Sequence, residues 1–337
     1  MPTITFSYND FRQLLGRKMP FAEFEEKLLL YAKAEVEGYE KGSDEVTVKL
    51  DDTNLPYLWC PEGLARFLRG MLGISKGMQK LKVKSGGYKI NVEDSVKAVR
   101  PFITAFVAKG KKIDDYLLKQ LIQMQEKFCE GYGRRRQKTS IGLYAYGKVT
   151  FPVHYKAVDP ASAKFIPLDF DRALNLKQIL ELHPKGRQYG WILKNSAKYP
   201  LLQDNRGEIL SFPPIINSST TGRLQIGDSE LLFEATGTDE ESVNLAANIF
   251  AHNLSERGFE IFSATISYKG KTETVPSGKT GKISITPEFI EEVTGLKLSA
   301  AEAKQLLAKA GYEYTGSQAI VPDYRADIMH PADVAED

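Results

Sequence analysis

Apolar and polar positions alternate along the N-terminal part of the chain at two periods, one of strands and one of helices. Thr3 to Phe6 alternates as a short strand, and Ser7 or Asn9 can cap a helix that runs through Leu15 to Gly16. Phe21, Phe24, Leu28 and Tyr31, three and four apart, mark a second helix, with Glu23, Glu25, Glu26 and Lys27 mostly on its solvated side. Val46 to Leu50 alternates as a strand, Asp51 to Pro56 makes a turn, and Pro61 to Leu72 reads as a helix stopped by Gly73. Strand-like runs from Tyr88 to Ala108 surround Arg100-Pro101. Gly110-Lys111-Lys112 then interrupts the pattern and suggests a domain boundary.

Ile113, Leu117, Leu121, Met124 and Phe128 recur at helical spacing, with Asp114 and Asp115 in the first turn, where the helix dipole favours acids. Ile141 to Lys156 is strand-rich, and Leu176 to Leu182 is a short helix stopped by His183-Pro184. Glu240 to Leu254 is a helix with Val243, Ala247, Phe250 and Leu254 on one side, and Thr238 with Glu241 has capping-box spacing before it. Phe259 to Tyr268 alternates as a strand. Lys269 to Lys282, rich in Gly, Thr, Ser and Lys, reads as a linker or an exposed hairpin. A new module starts at Ile283. Thr286-Pro287 opens one helix, Ser299 and Glu302 box a second, and Ala319 to Val321 is a strand.

The stretch from Tyr199 to Thr238 departs from core patterning. Asp204 to Gly207 is a turn cluster between apolar runs and implies a hairpin whose second strand carries Ser211 towards Pro213. Asn217 to Thr221 is a polar loop, and Leu231 to Phe233 is a buried strand that leads to a lone acid, Glu234. Ser211, Asn217, Glu234 and Thr236 therefore gather near strand and loop ends, where pockets are built.

Composition mostly excludes. Over 337 residues, 42% hydrophobic content supports two or three ordinary domains, and 45 Lys and Arg against 43 Asp and Glu give no global signal for nucleic acid or membrane. Cys60 and Cys129, each flanked by apolar residues, read as reduced core thiols in a reducing cytoplasm. No apolar run reaches the ~18 residues of a membrane span, and the polar start is no signal peptide. The four histidines stand far apart, without zinc spacing. Gly278-Lys279-Thr280 lacks the upstream glycine of a phosphate loop, because Glu273 occupies that position. No serine elbow or activated cysteine is evident.

Two charged clusters each admit two readings. Gly131 to Lys138 concentrates Arg134, Arg135, Arg136 and Lys138 beside Tyr132, which suits phosphate neutralisation or simply a solvated basic loop. Asp333, Glu336 and Asp337 share a helix face, with Asp327 six residues upstream of Asp333. That set suits a hard cation, or an acidic helical turn favoured by the dipole.

The run Phe212-Pro213-Pro214-Ile215-Ile216-Asn217-Ser218, followed by Glu234-Ala235-Thr236-Gly237-Thr238-Asp239, resembles the tRNA-editing domain of the phenylalanyl-tRNA synthetase β subunit in its archaeal and eukaryotic form. Gly133-Arg134-Arg135-Arg136 with residues 145–159, and Arg325-Ala326-Asp327-Ile328-Met329-His330, extend the resemblance over nearly the whole chain. Asp51 to Trp59 with Gly63-Leu64-Ala65-Arg66 resembles a structural signature of the same subunit's N-terminal domain. Glu234 stands where this family more often carries Asp.

The resemblance implies an α+β, multidomain fold. Residues 1–110 would be an N-terminal α+β structural domain, 111–272 a central mixed α/β editing domain, and 283–337 a small α+β module truncated at its C-terminus. It implies the N-terminal part of a cytoplasmic phenylalanine–tRNA ligase β subunit, whose editing domain hydrolyses the ester of mischarged tyrosyl-tRNA(Phe) with a positioned water. In that reading Asn217, Ser211 and Thr236 serve catalysis, Glu234 accepts the hydrogen bond of the tyrosine hydroxyl, and Leu202 supplies an apolar wall. Arg134, Arg135, Arg136 and Lys138 would bind tRNA. Asp327, Asp333, Glu336 and Asp337 would hold a Mg2+ ion shared with the α subunit of an α2β2 enzyme, and the whole enzyme, not this chain, would bind ATP. The competing reading is a non-catalytic module that binds RNA or scaffolds its partner subunit.

Overall fold

The fold is that of a computed structural model and describes residues 2–337. Strand β1 (Thr3–Ser7) passes into helix α1 (Tyr8–Leu15) at Ser7, whose side chain accepts from the Asp10 backbone N–H, so Ser7 is the cap and Asn9 lies inside the helix. Helix α2 (Phe21–Ala32) turns Phe24 and Leu28 inward. Strands β2 (Ala34–Glu40) and β3 (Glu45–Leu50) complete an antiparallel sheet ordered β1-β3-β2, and α3 (Pro61–Met71) follows.

The second unit, residues 82–277, is built on one ten-stranded sheet. Its elements are β4 (Val83–Val92), β5 (Phe102–Lys109), α4 (Asp115–Glu130), β6 (Thr139–Ala145) and β7 (Val153–Val158). A short pair β8 (Lys164–Phe165) and β9 (Leu174–Asn175) precedes α5 (Leu176–Leu182) and α6 (Pro184–Tyr189). Then come β10 (Tyr199–Gln203), β11 (Ile209–Phe212), β12 (Ile216–Asn217), β13 (Glu230–Gly237), α7 (Glu240–Glu256), β14 (Glu260–Tyr268) and β15 (Lys271–Val275). The order is β12-β11-β10-β7-β4-β14-β5-β13-β6, with β15 against β14; β4 runs parallel to β7 and β14, and the other pairs are antiparallel. Ile90, Ile103, Tyr144, Tyr155 and Leu232 belong to one core cluster of this sheet. Elsewhere in the unit Phe106 and Phe233 stack at 4.7 Å, and Phe250 of α7 packs on Phe233 at 5.0 Å.

Two local expectations are corrected, and one open alternative is decided. The first boundary falls between residues 81 and 82, not near Gly110, because β4 and β5 lie inside the large sheet through pairings with β14 and β13 that local patterning cannot reveal. Helix α7 is capped by Asp239, which accepts from Ser242 N, and not by Thr238, whose hydroxyl donates to Gln137 O. Lys269 to Val275 forms the hairpin alternative, with β15 antiparallel to β14.

The chain then completes its first unit, which joins 2–81 to 278–337. Strand β16 (Gly281–Ser284), helices α8 (Pro287–Thr294) and α9 (Ala300–Lys309), strands β17 (Glu313–Tyr314) and β18 (Gln318–Val321) and helix α10 (Pro331–Glu336) enclose Ile290, Leu307 and Tyr312. Ser299 and Glu302 form the expected capping box. Within this unit Arg66 lies 4.5 Å from the Tyr324 ring, and Tyr57 meets the same ring at 5.6 Å. Among the described residues no helix is long and apolar enough to cross a membrane.

Candidate active site

Hairpin β10–β11 exists because Asp204 satisfies its turn. Its carboxylate accepts from the backbone N–H groups of Thr150, Arg206 and Glu208 at 2.8–3.0 Å. The hairpin sets Ser211 opposite Leu202 on one side and Asn217 on the other. Strand β13 brings Glu234 opposite Gly142 of β6 and Ala105 of β5. Ser211, Asn217 and Glu234 thereby line one cavity of about 330 Å³, with Leu118 and Ile122 of α4 and the 213–215 segment as apolar lining.

Glu234 is 3% exposed. The hydroxyl oxygen of Tyr144 lies 2.8 Å from Glu234 Oε1 and 2.9 Å from Ser211 Oγ. A phenol has one proton, so when Glu234 is ionised Tyr144 donates to the carboxylate and Ser211 donates to Tyr144. Oε2 of Glu234 is buried and has no hydrogen-bond partner. Burial raises the Glu234 pKa to about 7, with the Tyr144 hydrogen bond and the charge of Arg100 opposing the rise. Gly142 makes the contact sterically feasible: a Cβ there would lie 2.3 Å from the Tyr144 hydroxyl and 2.5 Å from Glu234 Oε1.

Thr236 and Leu202 do not line this cavity. Leu202 is buried in the core cluster that also contains Tyr144. Thr236 is fully buried, and its hydroxyl accepts from Arg100 Nε at 3.0 Å and lies 3.2 Å from Ser140 Oγ. Ser140 does reach the cavity. Arg100 also donates to Thr236 O at 2.5 Å, Ser140 Oγ at 3.0 Å and Gln137 O at 3.1 Å, and burial lowers its pKa to about 10. Tyr144, Arg100, Ser140 and Gly142 are thus parts of the site that the sequence did not single out. An arginine inside an apolar strand pattern was the one available signal.

The basic segment does not act as a block. Arg134, Arg135 and Arg136 all have left-handed backbones, with φ of 50°, 52° and 66°, and form a turn whose N–H groups satisfy carbonyls at the end of α4, including Arg136 N to Cys129 O. Arg134 and Arg135 face solvent. Arg136 turns inward: its Nη1 donates to Pro214 O at 3.1 Å and Ile215 O at 3.0 Å, its guanidinium lies 4.2 Å from the Tyr189 ring, and it lines the cavity. Lys138 pairs with Asp239 at 3.2 Å.

The four C-terminal acids are held separately. Asp327 and Asp337 both pair with Arg325, and Tyr312 also donates to Asp337. Asp333 accepts from Met329 N and His330 N, and Glu336 pairs with Lys33 at 2.7 Å. Among the described residues no three His, Cys, Asp or Glu side chains converge on a point that could hold a metal ion. As arranged, this set does not fit a magnesium ion.

Residues 283–337 match the family described as the tRNA synthetase B5 domain. The whole chain is 38% identical over 343 residues to the phenylalanine–tRNA ligase β subunit of Pyrococcus horikoshii, and 39% identical over 341 residues to that of Archaeoglobus fulgidus. It spans 61% of the length of each. Its structure is similar to the crystal structure of an N-terminal fragment of the phenylalanyl-tRNA synthetase β subunit from Pyrococcus horikoshii, with a TM-score of 0.95, 36% identity, and coverage of 99% of this chain and 98% of the other.

Proposed function

The chain belongs to the phenylalanine–tRNA ligase β-subunit family, as an N-terminal fragment of the archaeal type, and from that membership we propose that its 82–277 unit hydrolyses the ester of tyrosine mischarged on tRNA(Phe). One observation carries the reading: Glu234, which lines a cavity with Ser211 and Asn217, keeps a buried carboxylate oxygen without a hydrogen-bond partner. An aromatic side chain that brings a hydroxyl would satisfy Oε2. Phenylalanine would leave it unpaired, at a cost of about 1–3 kcal/mol. A synthetase needs such positive selection, since an apolar pocket for phenylalanine rejects an added hydroxyl weakly.

The reading requires a water nucleophile. Both cysteines are buried with raised pKa values, and the neighbour that Ser211 has in Tyr144 is no base. Asn217 offers an amide and Ser211 lone pairs to orient water against the ester carbonyl. Thr236 would act through Arg100 and Ser140, and Leu202 by backing Tyr144. Aminoacylation, ATP use, an α-subunit partner and an α2β2 assembly belong to the longer protein under the same proposal. A magnesium ion at the four acids would first have to displace Arg325, Lys33 and the α10 cap.

Single-turnover deacylation tests this. The chain should release tyrosine from tyrosyl-tRNA(Phe) and spare phenylalanyl-tRNA(Phe). Glu234→Ala should narrow the ratio of the two rates by about 10 to 100-fold while residual activity on both survives. An equal fall in both rates would make Glu234 a base or an anchor. No release by the wild-type chain would favour the non-catalytic module.

A further inference from the structure

The chain has two tryptophans, and they sit in opposite environments. Trp59 is 2% exposed, whereas Trp191, in the single turn Gly190–Leu193 after α6, is 45% exposed. The exposed indole stands beside cations. The Arg135 guanidinium lies 6.0 Å from the Trp191 ring centroid, one residue along from the Arg136–Tyr189 contact at the cavity wall. Trp191 opens on a shallow cleft of about 430 Å³, which Lys177, Arg187 and Lys194 line with a single acid, Glu181. Arg187 is exposed, and its Nε donates to Glu181 O at 2.9 Å. Along α6, Lys185 lines the cavity and Arg187 the cleft, so cavity and cleft share one short helix.

We propose that Trp191, with Arg135, Arg187 and Lys194, is a binding site for the single-stranded end of an RNA, where one base stacks on the indole and the adjacent phosphates meet the cations. The occupant rests on the proposed function, in which an RNA 3′ end must reach the cavity. The chemistry stands by itself: a flat exposed π face selects a stacked ring, and several cations without carboxylate partners select a polyanion. Arg135 serves both terms, holding the indole and reaching a phosphate.

The position of the tryptophans supplies the assay, since only Trp191 can be quenched by a stacked base. A short single-stranded oligoribonucleotide with a free 3′ end, titrated into the full chain, should quench tryptophan emission with saturation. Read by the anisotropy of the same oligoribonucleotide carrying a 5′ fluorophore, which needs no tryptophan, Trp191→Ala should weaken binding about 10-fold, and Trp191→Phe should restore most of it. Arg135→Ala and Lys194→Ala should each reduce the slope of log K against log salt by about 0.7. An unchanged melting temperature for each variant checks the fold. Absence of quenching, equal binding by Trp191→Ala, or quenching by an acidic peptide and not by RNA would overturn the site. Because no ester is present, this outcome is independent of hydrolysis. A chain that deacylates normally but ignores Trp191 sinks this inference alone, and one that quenches but never deacylates sinks only the hydrolytic reading.

Discussion

Gly142 is where one added methyl group would matter most. Its Cβ would come within 2.5 Å of both partners of the Tyr144–Glu234 hydrogen bond, so Gly142→Ala must push them apart. The expected result is a loss of tyrosine selectivity comparable with that of Glu234→Ala, read as the ratio of deacylation rates. Glu234 also makes stability depend on pH. Its folded pKa, about 7, lies above the value of 4.5 expected when unfolded, so the native state keeps a proton that the unfolded state has lost. Stability is therefore full below about pH 4.5 and falls as the pH rises towards 7, by roughly 2–4 kcal/mol from this group. Glu234→Gln should flatten that fall in urea midpoints measured between pH 5 and 8, and an unaltered slope would refute the assignment. Glu234 was legible as a lone acid after an apolar run. Its partners were not, because Tyr144 and Arg100 come from other strands and nothing near residue 234 encodes their arrival.

Among the elements, the left-handed turn after α4 divides a charge run that reads as uniform. Its three non-glycine residues at positive φ cost on the order of 1 kcal/mol each, and the carbonyls capped at the end of α4 help to offset that. The turn decides which arginine meets solvent. Arg134→Ala should lower the salt dependence of RNA binding and leave stability unchanged. Arg136→Ala should instead destabilise the 213–215 wall by about 1–3 kcal/mol, measured by urea unfolding, since it strips donors from the Pro214 and Ile215 carbonyls. Equal effects of the two substitutions on both readouts would contradict this division. The helix, the hairpin and its Asp204 turn were legible because their signals are local. The direction in which each basic side chain points depends on backbone handedness, which composition does not carry.

For the whole molecule, the sequence order of domains is not the order of packing. The central unit was expected from residue 111 and begins at 82, and what precedes and follows it forms a single unit. Arg325 is one fastening inside that unit: buried, paired with Asp327 and Asp337, and 5.4 Å from the rings of Tyr57 and Tyr312. Arg325→Ala strands the buried Asp327 carboxylate and leaves Asp337 with Tyr312 as its donor, and should remove about 3–5 kcal/mol from this unit alone. In calorimetry one transition should move down while that of 82–277, followed by deacylation activity, stays in place. Movement of both would show that the units melt together. The split arrangement also bears on how the chain is made. As it leaves the ribosome, residues 2–81 emerge with Tyr324 and Arg325, which Tyr57 and Arg66 contact, not yet translated. The inserted unit, whose strands all lie between 82 and 277, can close while its host still waits, so the last part of the chain to be synthesised completes the fold of the first.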